Sequence, residues 1–250
     1  MGIIGVVAAL TIPNVNKNTG RAESVAKVKK IYTELNEAYD RATAVYGPIE
    51  KWSGGDSSYA KRDYDRITEF MKIQKNCRDS ANKCMAEYKC LNNTSCDSEA
   101  SGLRESYNNA TISGILANGC SLKIGLRNGY FPRYTGDTRT GYKGKSSGIF
   151  IYVDIDGPNK GKNTWGIDLF AFDITKEGIK PVSGGSYWTD SHIKSGNEKD
   201  FWFDCFKYGQ KCTAWVINTG NMDYLDADEN GKCKHSNKTL SVDNNVFSCK

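Results

Sequence analysis

Apolar and polar residues are distributed very unevenly along this chain. From Ile3 to Ile12 there is no charge, and Thr11 is the only polar residue. After Pro13 a polar stretch, Asn14 to Gly20, leads into a segment with a different rhythm. Val25, Val28, Tyr32, Leu35, Tyr39, Ala42 and Tyr46 recur at steps of three and four, which is one face of a helix. Lys27, Lys30, Glu34, Glu37 and Arg41 fall off that stripe, and Gly47-Pro48 ends the pattern. The two segments together predict one long helix over residues 1–47, apolar over 1–13 and amphipathic over 21–46. A bend or local melting is expected at Pro13, which has no N–H for the Ala9 carbonyl. Asn14 to Gly20 is a poor helix former and is expected to widen that break.

Residues 48–250 read as one globular head. Arg62 to Gln74 predicts a short helix with Tyr64, Ile67, Phe70 and Met71 on one side. Residues 77–111 are polar and cysteine-rich and are expected to be irregular. Period-two patterns follow. Cys120, Leu122, Ile124 and Leu126 alternate with Ser121, Lys123 and Gly125. Ile149, Ile151, Val153 and Ile155 alternate with Phe150, Tyr152, Asp154 and Asp156, and Gly157-Pro158 turns the chain. Phe170, Phe172 and Ile174 mark the next strand. Trp215 and Ile217, with Ala214 and Val216 facing the other way, predict another. An N-terminal helix followed by several strands gives an α+β class, with the long helix packed on an antiparallel sheet and disulfide-clipped loops around it.

The apolar run is too short to cross a bilayer, which takes about 20 apolar residues, and it lacks the basic flank and cleavage site of a signal peptide. The cysteines point the other way. There are nine in 250 residues, mostly in polar, loop-like sequence, and that usage belongs to an oxidising compartment. The residues IIGVVAALTIP resolve this conflict. They resemble the second half of the hydrophobic N-terminal helix of type IV pilins and type II secretion pseudopilins. In that family a short basic leader precedes Phe-Thr-Leu, a glutamate and an aliphatic run ending near a proline. Gly2, Gly5, Ala8, Ala9 and Pro13 fall where the family places its small residues and proline. The leader, cleavage site and glutamate are absent, so Met1 is expected to be an internal start or the product of a truncation. Val153 to Phe172 resembles a strand–loop–strand block of such heads, and Thr213 to Leu225 resembles a closing strand.

The resemblance implies a pilin-like subunit that assembles through Ile3, Ile4, Val6, Val7, Leu10, Ile12 and Pro13. Its partners would be other pilin or pseudopilin subunits, an inner-membrane assembly platform, and the membrane itself. Its place would be the bacterial cell envelope, in the inner membrane before assembly and in a periplasmic or extracellular filament afterwards.

Chemistry adds few candidates. Cys77, Cys84, Cys90 and Cys96 lack the close C-x2-C pairs of a zinc site, so disulfides clipping a long loop are expected, with three connectivities open. Cys205–Cys212 and Cys233–Cys249 are expected as local bridges. Asp226, Asp228 and Asn230, followed by Gly231, match the start of a calcium loop, but Asn237 stands where the bidentate Glu should be. Ca2+ is the one cofactor considered. Asp154, Asp156 and Asp168 are a second, weaker calcium candidate, set against strand-end carboxylates that simply face water. No catalytic or nucleotide motif is present, and the two histidines, His192 and His235, lie in polar sequence, so no enzyme is expected. The net charge of +5 is interspersed with acid, so no nucleic-acid face is expected. The competing reading is a secreted or surface-exposed, non-catalytic binding module, an adhesin or carbohydrate binder, using exposed Tyr187, Trp188 and Trp202.

Overall fold

A computed structural model describes the backbone of residues 3–49, 52, 57–78, 83–91, 112–126, 134–137, 142–175, 177–182 and 198–250. Side chains are described for 19–49, 52, 62–78, 83–91, 112–124, 150–175, 177–182 and 202–250.

Helix α1 spans Ile3–Tyr46, 44 residues without interruption. The expected break over Asn14 to Gly20 is therefore corrected: this stretch is helical. Asn and Gly each cost only about 0.5–1 kcal/mol inside a helix, less than the cost of nucleating a second one. The amphipathic half is buried along Val25, Val28, Ile31, Leu35, Ala38, Tyr39 and Ala42, while Tyr46 is exposed. Gly47, at φ +82°, stops the helix and donates its N–H to the Thr43 carbonyl at 2.9 Å.

Helix α2 covers Ser57–Thr68. It begins and ends earlier than the periodicity predicts, because Ile73–Arg78 is a strand, β1. Ile73 lies opposite Leu116 and Asn76 opposite Gly114, so pairing with an edge wins over another helical turn. The remaining strands are β2 (Tyr88–Lys89), β3 (Ile112–Leu116), β4 (Ser121–Leu126), β5 (Tyr134–Asp137), β6 (Tyr142–Asp154), β7 (Asn163–Thr164), β8 (Leu169–Thr175) and β9 (Gly178–Pro181). The main sheet runs β1-β3-β4-β6-β8-β9, with β5 added on β6, and every pairing in it is antiparallel. Strands β2 and β7 form a separate two-stranded parallel clasp. Two helices follow, α3 (Glu198–Tyr208) and α4 (Thr213–Thr219), then a 3-10 turn at Asp223–Asp226.

The predicted strand at Trp215 and Ile217 is thus a helix. Thr213, Ala214, Trp215 and Val216 are all buried, so no period-two face exists there. Tertiary burial overrides the β preference of Val and Ile. Gly220 closes α4 in a left-handed conformation, its N–H bonded to the Val216 carbonyl.

The sheet carries a core on each face. On one face α1, α3 and α4 pack over Leu122, Ile124, Ile151, Val153, Phe170, Phe172 and Ile174. Tyr32 stacks on Phe172 with ring centroids 5.7 Å apart. On the other, Met85, Cys90, Phe150, Trp165, Leu169, Ala171 and Val182 form a smaller core beneath the cysteine-rich segment. Strand β8 is buried at all seven positions as a result.

Two backbones cross at Gly166 and Gly209. Both glycines have φ of +75°, and a Cβ on Gly209 would sit 1.9 Å from the Trp165 carbonyl oxygen. No side chain yields there, because the obstacle is main chain. Gly209→Ala is expected to cost about 3 kcal/mol or more, from the strained φ plus the backbone clash. Urea denaturation of the variant measures this.

Candidate assembly helix and acidic turns

The residues singled out for assembly, Ile3, Ile4, Val6, Val7, Leu10, Ile12 and Pro13, all lie on α1. Their side chains fall outside the described set. At 1.5 Å per residue, the stretch from Ile3 to Gly20 is about 25 Å of helix. Among the described contacts, the head takes hold of α1 from Arg21 onward. Arg21 makes a two-pronged ion pair with Asp226, one prong being a 3.0 Å hydrogen bond from Nη2 to Oδ1. Asn36 reaches the sheet edge: its Oδ1 accepts the Ile179 N–H at 3.0 Å, supplying β9 with a partner where, among the described residues, no further strand pairs. The Tyr39 hydroxyl donates to the Thr175 carbonyl at 2.7 Å. These contacts hold the second half of α1 to β8, β9 and the C-terminal lobe. Among the described residues no helix is long and apolar enough to cross a membrane.

The calcium-like turn has other occupations. Both Asp226 oxygens face the Arg21 guanidinium. Asp228 Oδ1 accepts the N–H groups of Asn230 and Lys232, each at 2.9 Å, which makes it a turn cap. Asn230 is exposed. Among the described residues no group of three or more His, Cys, Asp or Glu side chains is placed to hold a metal ion.

The second acidic grouping is not what its sequence suggests. Asp156 is exposed, but Asp154 is wholly buried and Asp168 half-buried. Asp154 Oδ1 accepts the N–H groups of Asp156 at 3.1 Å and Gly157 at 2.8 Å. Its Oδ2 is buried without a donor. Burial, helped by the neighbouring Asp156 carboxyl, pushes the Asp154 carboxyl up to about 7. Burial also raises Asp168 to about 6, against the opposing pull of the Thr164 N–H.

Among the expected disulfides, Cys205–Cys212 and Cys233–Cys249 are present, and Cys77 pairs with Cys84. Cys90 is bonded too, while Cys96 lies outside the described residues. Among the described residues the free thiol is Cys120, buried at the foot of β4, with burial raising it to about 11. It is kept neutral and unreactive there. The binding-module aromatics divide: Tyr187, Trp188 and also His192 lie outside the described residues, whereas Trp202 is buried against Trp215 and Phe206. Trp202 therefore is not an exposed ligand platform, and His235 is exposed and unconnected to any acid–base pair described.

Sequence reasoning missed two groups of consequence. Asn36 is a polar residue on a helix otherwise read by its apolar stripe, and only the sheet edge beside it reveals its role. The burial of Asp154 depends on the segment folded over the second sheet face. No family model matches the chain, and no curated protein or solved structure matches it either.

The Arg21–Asp226 pair is only partly buried, with side-chain exposures of 13% and 22%. Arg21→Ala is expected to cost about 1 kcal/mol in urea denaturation, with the difference shrinking in molar salt. A calorimetric titration of the full chain with millimolar Ca2+ is expected to give no saturable heat, because Asp226 is already bonded to Arg21.

Proposed function

We propose that this chain is a structural subunit of a type IV pilus or type II secretion pseudopilus, assembling through the apolar first part of α1. The observation that carries the reading is one unbroken helix with two different halves. The second half is bonded to its own head from Arg21 to Ala42. The first half holds an uncharged run from Ile3 to Ile12, which an assembly element would bury against neighbouring helices. Glycine and alanine at positions 2, 5, 8 and 9 would let such helices approach closely. The disulfide-clipped α+β head supports a place in the cell envelope, facing outward from the filament. The partners on this reading are further subunits of the same kind and an inner-membrane assembly platform. The mechanism is packing, not turnover.

Val7→Asp and Leu10→Asp test the reading. Each puts a carboxylate into the apolar run, at a cost of about 2.5–3.5 kcal/mol where the helix is surrounded by lipid or other helices. In sedimentation of detergent-solubilised protein, each variant should weaken association by about a hundredfold while the melting temperature of the head stays put. Unchanged association would sink the proposal. A fall in head stability equal to a core substitution would mean that the run packs on its own head.

A further inference from the structure

The segment between β6 and β8 is tied down at both ends by carboxylates. Asp154 caps the Asp156 and Gly157 N–H groups at its start, and Asp168 Oδ1 accepts the Thr164 N–H at its end. Between them, Asn163 donates to the Glu87 carbonyl at 2.8 Å, Trp165 donates to Lys89 at 3.0 Å, and β7 pairs with β2. The segment is therefore a clasp that holds the cysteine-rich stretch over the second core.

The start of the clasp has a defect that a proton repairs. Asp154 is 0% exposed, and its Oδ2 has no donor. Directly across the β4–β6 pairing stands Ser121, also 0% exposed, whose Oγ is unpartnered as well. Gly157 packs so tightly on the β3–β4 turn that a Cβ would lie 2.4 Å from the Gly119 carbonyl oxygen. A buried carboxylate oxygen with no donor is costly when charged. Once protonated, it becomes a donor, and the Asp156 carboxyl beside it can accept.

We propose that Asp154 and Asp156 form a proton-operated latch, closed with one shared proton and loosened when that proton leaves. The other ionisable groups facing it do not supply a counter-charge. From the β3–β4 turn comes the neutral thiol of Cys120, which in turn feels Lys27, Lys30 and Glu34 of α1. From the turn that leads into β8 comes Asp168, a further acid, itself near Lys89 of β2. At the outer rim Lys162 is held by Glu87 at 2.8 Å.

The sign follows from linkage. The closed-state acidity of Asp154 lies near 7, against 3.8 for an ordinary aspartate. The proton's contribution to closure is complete below about pH 4 and is lost as pH rises through about 7. Between pH 5.5 and 8.5 this corresponds to an opening equilibrium about thirtyfold more favourable at the higher pH. The inference stands apart from the assembly reading, and neither depends on the other.

Amide hydrogen exchange of the full chain at pH 5.5 and 8.5, corrected for intrinsic rates, tests it. Wild-type Asp156 and Gly157 amides should open at least about thirtyfold more at pH 8.5. Asp154→Asn keeps the capping oxygen and removes the titration, so the ratio should fall to about fourfold or less, the share left to Asp168. If that variant does not fold, Asp156→Asn provides the test, since removing the partner carboxyl should at least halve the wild-type ratio. A wild-type ratio of about fourfold or less, or the wild-type ratio retained in whichever variant folds, overturns the latch.

Discussion

Burial of one stripe of α1 against the sheet is the contact on which the other elements depend. Val28, Leu35 and Ala42 are 0% exposed, and they belong to the core that α1 shares with the sheet. Without α1, Phe172 and Ile174 would be bare on that face and the β9 edge would lack the acceptor that Asn36 provides. Apolar burial supplies the driving force and the Asn36 amide fixes the register, since a helix shifted by one residue would satisfy neither. The C-terminal lobe repeats this logic with Trp215 packed edge to face on Trp202 and Phe206, clipped by the Cys205–Cys212 bridge.

Much of this architecture is legible in the chain itself. The α1 stripe, the alternations of β4 and β6, the apolar positions of β8 and two of the disulfides follow from local pattern. The failures share a cause. Over Asn14 to Gly20, weak local helix preference yields to continuity with the strongly periodic segment that follows. At Trp215 a four-residue alternation is too short to separate strand from helix, and the site is buried all round. At Ile73 the apolar residue continues a helical spacing but gains more by pairing with Leu116. Each is a case where a distant partner, silent in the local sequence, decides.

The acidic groups carry the same lesson for function. Asp226 and Asp228 match an ion-binding spacing, yet one answers Arg21 from 205 residues away and the other caps its own turn. Asp154 lies in a strand–turn sequence that reads as solvent-facing, yet the segment folded over the second core buries it. Spacing states which residues can converge; burial and competing partners determine what they do.

The division of α1 into an anchored half and an assembling half is the central claim, and residue-resolved amide exchange along that helix tests it most directly. In the separated subunit, amides from Val25 to Ala42 should exchange only with global unfolding. Those from Ile3 to Ile12 should exchange faster and gain protection when subunits associate. Protection that is uniform from Ile3 to Ala42 in the separated subunit, and unchanged on association, would contradict the account, because the apolar run would then already be buried within its own chain.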